Sequence, residues 1–162
     1  MNGAVRSSVH GPLLASYNRP MTNSASSMAA LELERRLARA LEERPEIQEA
    51  YLFGSQATGR AQAHSDIDVA VRVEPGSLPG AGYGYAAEIT AYLMSALGTN
   101  DVDVVILNRA TPLLYHRVLR DGRRILARDL RAATTREGHA LSRYCDYVPQ
   151  LAKIAAARRL NT

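Results

Sequence analysis

The segment that decides the fold reads Tyr51-Leu-Phe-Gly-Ser-Gln-Ala-Thr-Gly-Arg-Ala-Gln-Ala-His-Ser-Asp-Ile-Asp-Val-Ala-Val71. An apolar run enters a Gly-Ser pair, and ten residues after that pair a second apolar run carries Asp66 and Asp68. Side chains at i and i+2 of a strand leave the same face, so these two carboxylates lie side by side. Adjacent carboxylates repel each other and usually require a cation. Mg²⁺ prefers oxygen ligands and often takes one or two carboxylates together with substrate phosphates.

A third carboxylate lies in the segment Asp101-Val-Asp-Val-Val-Ile-Leu107, which has the composition of a buried strand. If this strand pairs beside the one that carries Asp66 and Asp68, Asp103 reaches the same cluster. Asp101 shares its strand parity and is the rival residue. Three acidic groups on adjacent strands, next to a Gly-Ser turn, favour metal-assisted phosphoryl or nucleotidyl transfer.

The Gly-Ser pair has properties that suit a phosphate. Gly54 lacks a Cβ and so allows a ligand to approach the backbone closely. Ser55 offers a hydroxyl and a backbone N–H at the start of a predicted helix, where the helix dipole favours an anion. The alternative is an ordinary strand–turn–helix junction in which Ser55 caps the helix.

This pattern of Gly-Ser, ten residues, Asp-x-Asp and a later Asp in an apolar strand resembles the nucleotidyltransferase superfamily related to DNA polymerase beta. The short chain and the order of its elements are similar to the minimal nucleotidyltransferases of the MntA type, the antitoxins of HEPN–MNT toxin–antitoxin systems. The segment Ser142-Arg-Tyr-Cys-Asp-Tyr-Val-Pro-Gln-Leu151 resembles the C-terminal segment of that subgroup. The resemblance spans about Leu31 to Leu151.

The resemblance implies a site. Asp66, Asp68 and Asp103 would be catalytic and would hold two Mg²⁺ ions, and Asp103 fits the family pattern better than Asp101 because apolar residues flank it on both sides. Gly54 and Ser55 would bind the distal phosphates of ATP. Arg60, between the two halves of the motif, is a further candidate for contact with phosphate or sugar.

The resemblance also implies an activity. The protein would be an antitoxin that transfers AMP from ATP to a tyrosine hydroxyl of a cognate HEPN ribonuclease toxin, with which it forms a hetero-oligomer. Two alternatives remain open. One is small-molecule transfer of the aminoglycoside type, although those enzymes usually carry an extra domain. The other is a non-catalytic antitoxin that acts by binding alone, although such a protein would be expected to lose a carboxylate.

The order of predicted elements favours an α+β, two-layer nucleotidyltransferase fold. Strands alternate with helices, and the short connection from Phe53 to Asp66 favours a mixed sheet with helices packed mainly on one face. The length of 162 residues suits one domain. We predict a flexible extension at 1–27, the nucleotidyltransferase domain at 28–148 and a tail at 149–162, which is helical if the pattern continues past Pro149.

The remaining composition excludes several classes of protein. No apolar run is long enough for a transmembrane helix, and the single cysteine, Cys145, fits a reducing cytoplasm. The net charge of +4 comes from scattered arginines, so direct nucleic-acid binding is not expected. Arg109 and His116 match the loose spacing of HEPN ribonucleases, but they lie in a strand end and a short helix, whereas that family is all helical. We therefore discount that match.

Overall fold

The structure is a computed structural model that describes residues 24–59, 65–78 and 82–160. These ranges form five α-helices, four strands and two 3-10 helices, the latter at Pro75–Ser77 and Leu107–Arg109. The helices are α1 Ser24–Glu42, α2 Gly54–Thr58, α3 Gly82–Leu97, α4 Pro112–Asp121 and α5 Leu130–Leu160. The strands are β1 Ile47–Phe53, β2 Ile67–Val73, β3 Val102–Ile106 and β4 Arg123–Ala127.

The four strands form one mixed sheet in the order β3-β2-β1-β4. β1 pairs antiparallel with both β2 and β4, whereas β2 and β3 are parallel and are joined through α3. The short mixed sheet predicted from the sequence is therefore confirmed. The C-terminal end of β1 therefore lies beside the N-terminal ends of β2 and β3.

Two apolar cores of unequal size cover the two faces of the sheet. The larger core lies between the sheet and helices α1 and α3, and its fully buried side chains include Leu37, Leu41, Leu52, Val69, Val71, Ile89 and Leu93. The smaller core lies on the opposite face, beneath α4 and α5, and consists of Tyr51, Phe53, Ala70, Leu107, Tyr115, Val118 and Ala140. Helix packing is thus mainly on one face, as predicted, with a second and smaller layer on the other.

The alternation of β2 decides which face carries the candidate site. Val69, Val71 and Val73 are fully buried in the larger core. Asp68 has the opposite parity and shares the face of Ala70, which packs in the smaller core. The Asp68 carboxylate therefore lies on the face of the sheet that α4 and α5 cover, near the N-terminal end of β2.

Helix α4 begins as its sequence predicts. Pro112 occupies the first turn, where its missing N–H costs little, and the Thr111 hydroxyl accepts a hydrogen bond from the Leu114 amide at 3.3 Å. The ring of His116 stacks on Tyr144 of α5, with ring centroids 3.7 Å apart and an interplanar angle of 4°. This contact packs α5 against α4.

Helix α5 continues through Pro149, where the sequence predicted an interruption. Proline removes one backbone donor and clashes with the preceding turn, at a cost of roughly 3 kcal/mol in a helix interior. The long helix on both sides of Pro149 keeps the element continuous.

A buried acidic group ties α5 to the sheet. Glu49 of β1 is fully buried, and Arg136 of α5 donates to its Oε1 at 2.5 Å from Nε. The Tyr51 hydroxyl lies 3.1 Å from Glu49 Oε2 and 2.8 Å from Glu137 Oε1. Burial, followed by the hydrogen bond to Glu137, raises the pKa of the Tyr51 phenol well above its ordinary value. The phenol therefore stays protonated and bridges strand and helix.

Three further predictions concern the ends of the chain. Helix α1 begins at Ser24, a few residues before the predicted cap at Ser26-Ser27, and residues 1–23 lie outside the described ranges. The division of the chain at 28 and 149 stays a prediction. In the part of the chain that the structure describes, no helix combines the length and apolarity needed to span a membrane.

Candidate active site

The Gly-Ser pair forms a tight turn between β1 and α2. Gly54 has a φ of +71°, in the left-handed region that favours glycine. A Cβ on Gly54 would lie 2.0 Å from Asp68 Oδ2, so only glycine lets the backbone pass this close to the carboxylate. The short helix then ends at Gly59, whose amide donates to the Ser55 carbonyl. Since no described residue bonds the Ser55 hydroxyl, that group is available to a ligand.

Asp68 and Asp103 are brought together by the parallel ladder. They are register partners on β2 and β3, and register partners of a parallel pair project from the same face of the sheet. Asp66 immediately precedes β2 with the same parity as Asp68. Asp66 and Asp103 are exposed, whereas Asp68 is half-buried between them and Gly54. All three predicted carboxylates therefore lie at one edge of the sheet, beside the Gly-Ser turn.

The electrostatics of Asp68 reflect this crowding. Burial raises the pKa of the Asp68 carboxyl above its ordinary value, and the negative charges of Asp103 and then Asp66 raise it further. Arg117, on α4, acts in the opposite direction and lowers the pKa. A carboxylate whose charged form is disfavoured by its surroundings is stabilised by a bound cation.

The donor set suits a hard divalent cation. Among the residues that the structure describes, no group of three or more His, Cys, Asp or Glu side chains is placed so that it could hold a metal ion. Mg²⁺ does not need one, because it takes one or two carboxylates and completes its shell with water and substrate phosphates. The side chains here offer only oxygen, and the space left by the absent Cβ of Gly54 directly adjoins Asp68 Oδ2. Asp66, Asp68 and Asp103 stay the predicted Mg²⁺ ligands, and the structure pairs two of them, Asp68 and Asp103, in the ladder.

Asp101, the rival of Asp103, has a different task. It lies just before β3, is exposed, and its backbone carbonyl accepts a hydrogen bond from the Ile67 amide at 2.8 Å. This bond begins the β2–β3 ladder. The Asp101 backbone thus sets the register that places Asp103 beside Asp68.

The loop between the two halves of the motif is only partly described. Arg60 and His64 lie outside the described residues. Gln56 donates from Nε2 to the Ser65 carbonyl at 3.2 Å. Its side chain therefore closes the loop in front of Asp66. The binding role predicted for Arg60 stays a prediction.

Sequence reasoning missed Arg117. This residue belongs to no motif, and its proximity to Asp68 follows from the way α4 packs against α2 and β1. The only signal in the sequence is a basic residue next to a helical apolar pattern, which is common on solvated helices. Spatial information was needed to connect it with the carboxylates.

The chain matches a known protein family. The sequence model of the family "Polymerase beta, Nucleotidyltransferase" matches residues 35–131, more than half of the chain. The chain therefore belongs to the polymerase beta nucleotidyltransferase family. No curated protein sequence matches it at a significant level.

Within that family the structural neighbours are MntA-type antitoxins in complexes with their toxins. A chain from a toxin–antitoxin crystal structure with AMP-PNP is 28% identical, with a TM-score of 0.64 over 77% of this chain and 98% of that one. A chain from the complex of tri-AMPylated Shewanella oneidensis HEPN toxin with MNT antitoxin is 25% identical, with a TM-score of 0.61 over 80% and 98%. A chain from an MntA–HepT complex is also 25% identical, with a TM-score of 0.61 over 79% and 98%. The protein is a nucleotidyltransferase-domain chain that resembles the MntA antitoxins.

Proposed function

We propose that this protein transfers AMP from ATP to a tyrosine hydroxyl of a HEPN ribonuclease toxin and so neutralises the toxin. The observation that carries the proposal is the register pairing of Asp68 with Asp103 beside the glycine turn at Gly54. The likeness to antitoxin chains supports the choice of acceptor, since one relative is found with a tri-AMPylated toxin and another with AMP-PNP.

In the proposed reaction the Gly-Ser turn holds the distal phosphates. The hydroxyl of Ser55 and the backbone at Gly54 contact the β- and γ-phosphates, and Asp66 and Asp68 would hold the divalent ions. Bound Mg²⁺ supplies charge neutralisation and stabilises the attacking and leaving oxygens together. Positioning and electrostatics account for most of the expected rate gain.

Asp103 lies on the far side of Asp68 from the glycine turn, and we assign it to the acceptor. It orients the tyrosine hydroxyl and accepts its proton. The phenolic oxygen then attacks the α-phosphorus in line, the bond from that phosphorus to the bridging oxygen breaks, and pyrophosphate leaves. The product is an AMP–tyrosine phosphodiester.

The decisive experiment combines the protein with ATP, Mg²⁺ and the product of its neighbouring gene, followed by intact mass spectrometry. The proposal predicts that the partner gains the mass of one or more AMP units, and that peptide mapping places them on tyrosine. Asp103→Asn is the matched inactive variant. A parallel reaction contains an aminoglycoside; a mass gain of AMP on that compound, with none on the partner, would replace the proposal with small-molecule transfer. A tight complex with no mass gain would replace it with neutralisation by binding.

A further inference from the structure

Helix α4 crosses the site on the side of the glycine turn. It packs against α2, the helix that begins with Gly54 and Ser55, and against β1. Arg117 projects from α4 close enough to Asp68 for its positive charge to act on that carboxylate, yet the two do not form an ion pair. The helix that carries Arg117 therefore packs beside the glycine turn, and the charge of Arg117 acts on the carboxylate next to that turn.

We propose that Arg117 binds the triphosphate of the nucleotide, at the two phosphates that leave as pyrophosphate. The inference rests on the proposed function, because it takes the nucleotide site at Gly54 and Asp68 as given. It adds a residue outside the Gly-Ser and Asp-x-Asp motifs and assigns it to the leaving group.

Arg117 differs from the arginines around it in the way its guanidinium is held. Three nearby arginines are bonded to carboxylates at 2.6 to 2.8 Å, in the pairs Arg120–Asp121, Arg123–Glu34 and Arg124–Glu137. Within the described part of the chain, Arg117 makes no hydrogen bond or ion pair. Asp121, the other carboxylate near it, is already bound by two nitrogens of Arg120. A guanidinium that no described carboxylate holds, beside an acidic site, is available to a ligand anion.

The space around Arg117 is open. Arg117 is exposed, and it borders a cleft of about 340 Å³ whose lining includes Thr111, Leu114, Arg120 and Tyr144 but none of the predicted site residues. The stacked rings of His116 and Tyr144 fix the neighbouring part of α4 to α5, so the helix that carries Arg117 is held in place while its side chain can reorient. A phosphate group can therefore approach the guanidinium without moving the backbone.

The charge balance of the site favours such a group. A nucleoside triphosphate brings several negative charges to an edge that already carries three carboxylates. Negative charge grows on the departing pyrophosphate during the transfer, and a fixed cation at that point stabilises the transition state more than the ground state. Arginine suits this task because its planar fork bonds phosphate oxygens in pairs and it stays charged at all working pH values.

The test measures nucleotide binding without any acceptor, so that it does not depend on transfer to a toxin. ATP, AMP and inorganic pyrophosphate are titrated, in the presence of Mg²⁺, into the wild-type protein and the variants Arg117→Ala, Arg117→Lys and Arg120→Ala. Arg120→Ala is the matched control, because it removes an exposed arginine from the same helix and the same cleft. We expect Arg117→Ala to weaken ATP and pyrophosphate binding by about tenfold to a hundredfold, the range for hydrogen bonds to charged groups. AMP binding should not change, and Arg117→Lys should recover part of the ATP affinity.

Steady-state kinetics then separate the two sides of the site. Arg117→Ala should raise the KM for ATP and lower kcat, while the KM for the acceptor is unchanged.

Unchanged ATP and pyrophosphate affinity in Arg117→Ala would overturn the inference, and a raised KM for the acceptor alone would assign Arg117 to the acceptor instead. An equal loss of ATP affinity in Arg120→Ala would also overturn the inference, because it would show that both arginines act only through the net positive charge of the helix. Failure of the wild-type protein to bind ATP would overturn the proposed function itself, which distinguishes the two failures. Because Arg117 is exposed, the variants should unfold at the wild-type temperature.

Discussion

Gly54 and Asp68 approach each other so closely that no other residue type fits at position 54. A Cβ there would lie 2.0 Å from Asp68 Oδ2, and the backbone φ of +71° is itself unfavourable for an L-residue with a side chain. The turn that would bind phosphate and the carboxylate that would bind metal are therefore one packed unit. A change in the turn must displace the carboxylate.

This relationship predicts the effect of Gly54→Ala. The variant should lose stability through backbone strain, by about 1–3 kcal/mol, and should lose roughly a hundredfold in AMP transfer because Asp68 is displaced. Gly59→Ala is the matched control, since Gly59 has the same φ of +71° but nothing lies within 4 Å of the position that a Cβ would take there. Urea unfolding and initial transfer rates measure the two effects. Equal activity losses in both variants would show that strain alone, and not the contact with Asp68, matters.

The raised pKa of Asp68 predicts a conflict between stability and function. The folded state holds the Asp68 proton to a higher pH than the unfolded chain, whose ordinary value is 3.8. Between that value and the raised one the folded state binds more protons, so the contribution of Asp68 to stability falls as the pH rises. Asp68→Asn removes the charge and should unfold at a higher temperature than wild type at pH 7.

The stability gain of Asp68→Asn should disappear below pH 3.8, where the wild-type carboxyl is protonated in both states. Thermal unfolding between pH 3 and pH 8 measures it, with no divalent ion present. Asp101→Asn, at the exposed start of β3, is the control and should show no gain at any pH. A wild-type protein more stable than Asp68→Asn throughout would contradict this expectation.

Mg²⁺ should make the wild-type protein more stable than Asp68→Asn, which reverses the order expected without metal. Under the proposed function Mg²⁺ binds only the folded state, so it should raise the unfolding temperature of the wild-type protein with increasing concentration. The shift should be absent or much smaller in Asp68→Asn, whose amide cannot replace the carboxylate charge. Differential scanning fluorimetry with Mg²⁺ and ATP measures both proteins in one series. An equal shift in the two proteins would place the ion elsewhere.

The two acids at the start of β3 should differ sharply in function. Asp103→Asn removes the group that is paired with Asp68 in the ladder and should lower AMP transfer by about a hundredfold or more, the usual range for a lost general base. Asp101→Asn keeps the backbone carbonyl that bonds the Ile67 amide, and it should retain most of the activity. Transfer rates at saturating ATP make the comparison. Similar losses in both variants would mean that the third ligand has been wrongly assigned.

The buried ion pair between α5 and the sheet makes a prediction about folding alone. Arg136→Ala leaves the fully buried Glu49 without its cation, which should cost about 3–5 kcal/mol. Arg124→Ala breaks a more exposed pair with Glu137 and should cost less than about 1 kcal/mol. Chemical denaturation of both variants tests the difference. A small loss of unfolding free energy in Arg136→Ala would show that Glu49 becomes protonated or bonds another partner.

The parts of the fold that local chemistry specifies were predictable from the sequence. The glycine turn, the Asp-x-Asp strand and the Thr111-Pro112 helix start all depend on a few neighbouring residues, and the structure has them close to the predicted positions. The pairing of Asp103 with Asp68 was also predictable, because the apolar pattern of each strand leaves one parity for the acids.

Contacts between distant elements could not be predicted in the same way. The proximity of Arg117 to Asp68 depends on how α4 crosses the sheet, and nothing in the local sequence around Arg117 encodes that crossing. The same holds for Arg136 and Glu49, which meet only after β4 has paired with β1. At Pro149 the local sequence predicted a break in the helix, but α5 continues through this residue. Here the local signal was strong and the longer-range structure overrode it.

The parallel pairing of β2 with β3 has a consequence for synthesis on the ribosome. The hairpin of β1 and β2, with Gly54 and Asp68, emerges early, but Asp103 follows only after the whole of α3 has been translated. A nascent or truncated chain that ends within α3 therefore has a phosphate turn with no acid to activate the acceptor. Under the proposed function, competence for AMP transfer therefore arrives with the third strand, and chains that end before it can bind the nucleotide but have no acid to activate the acceptor.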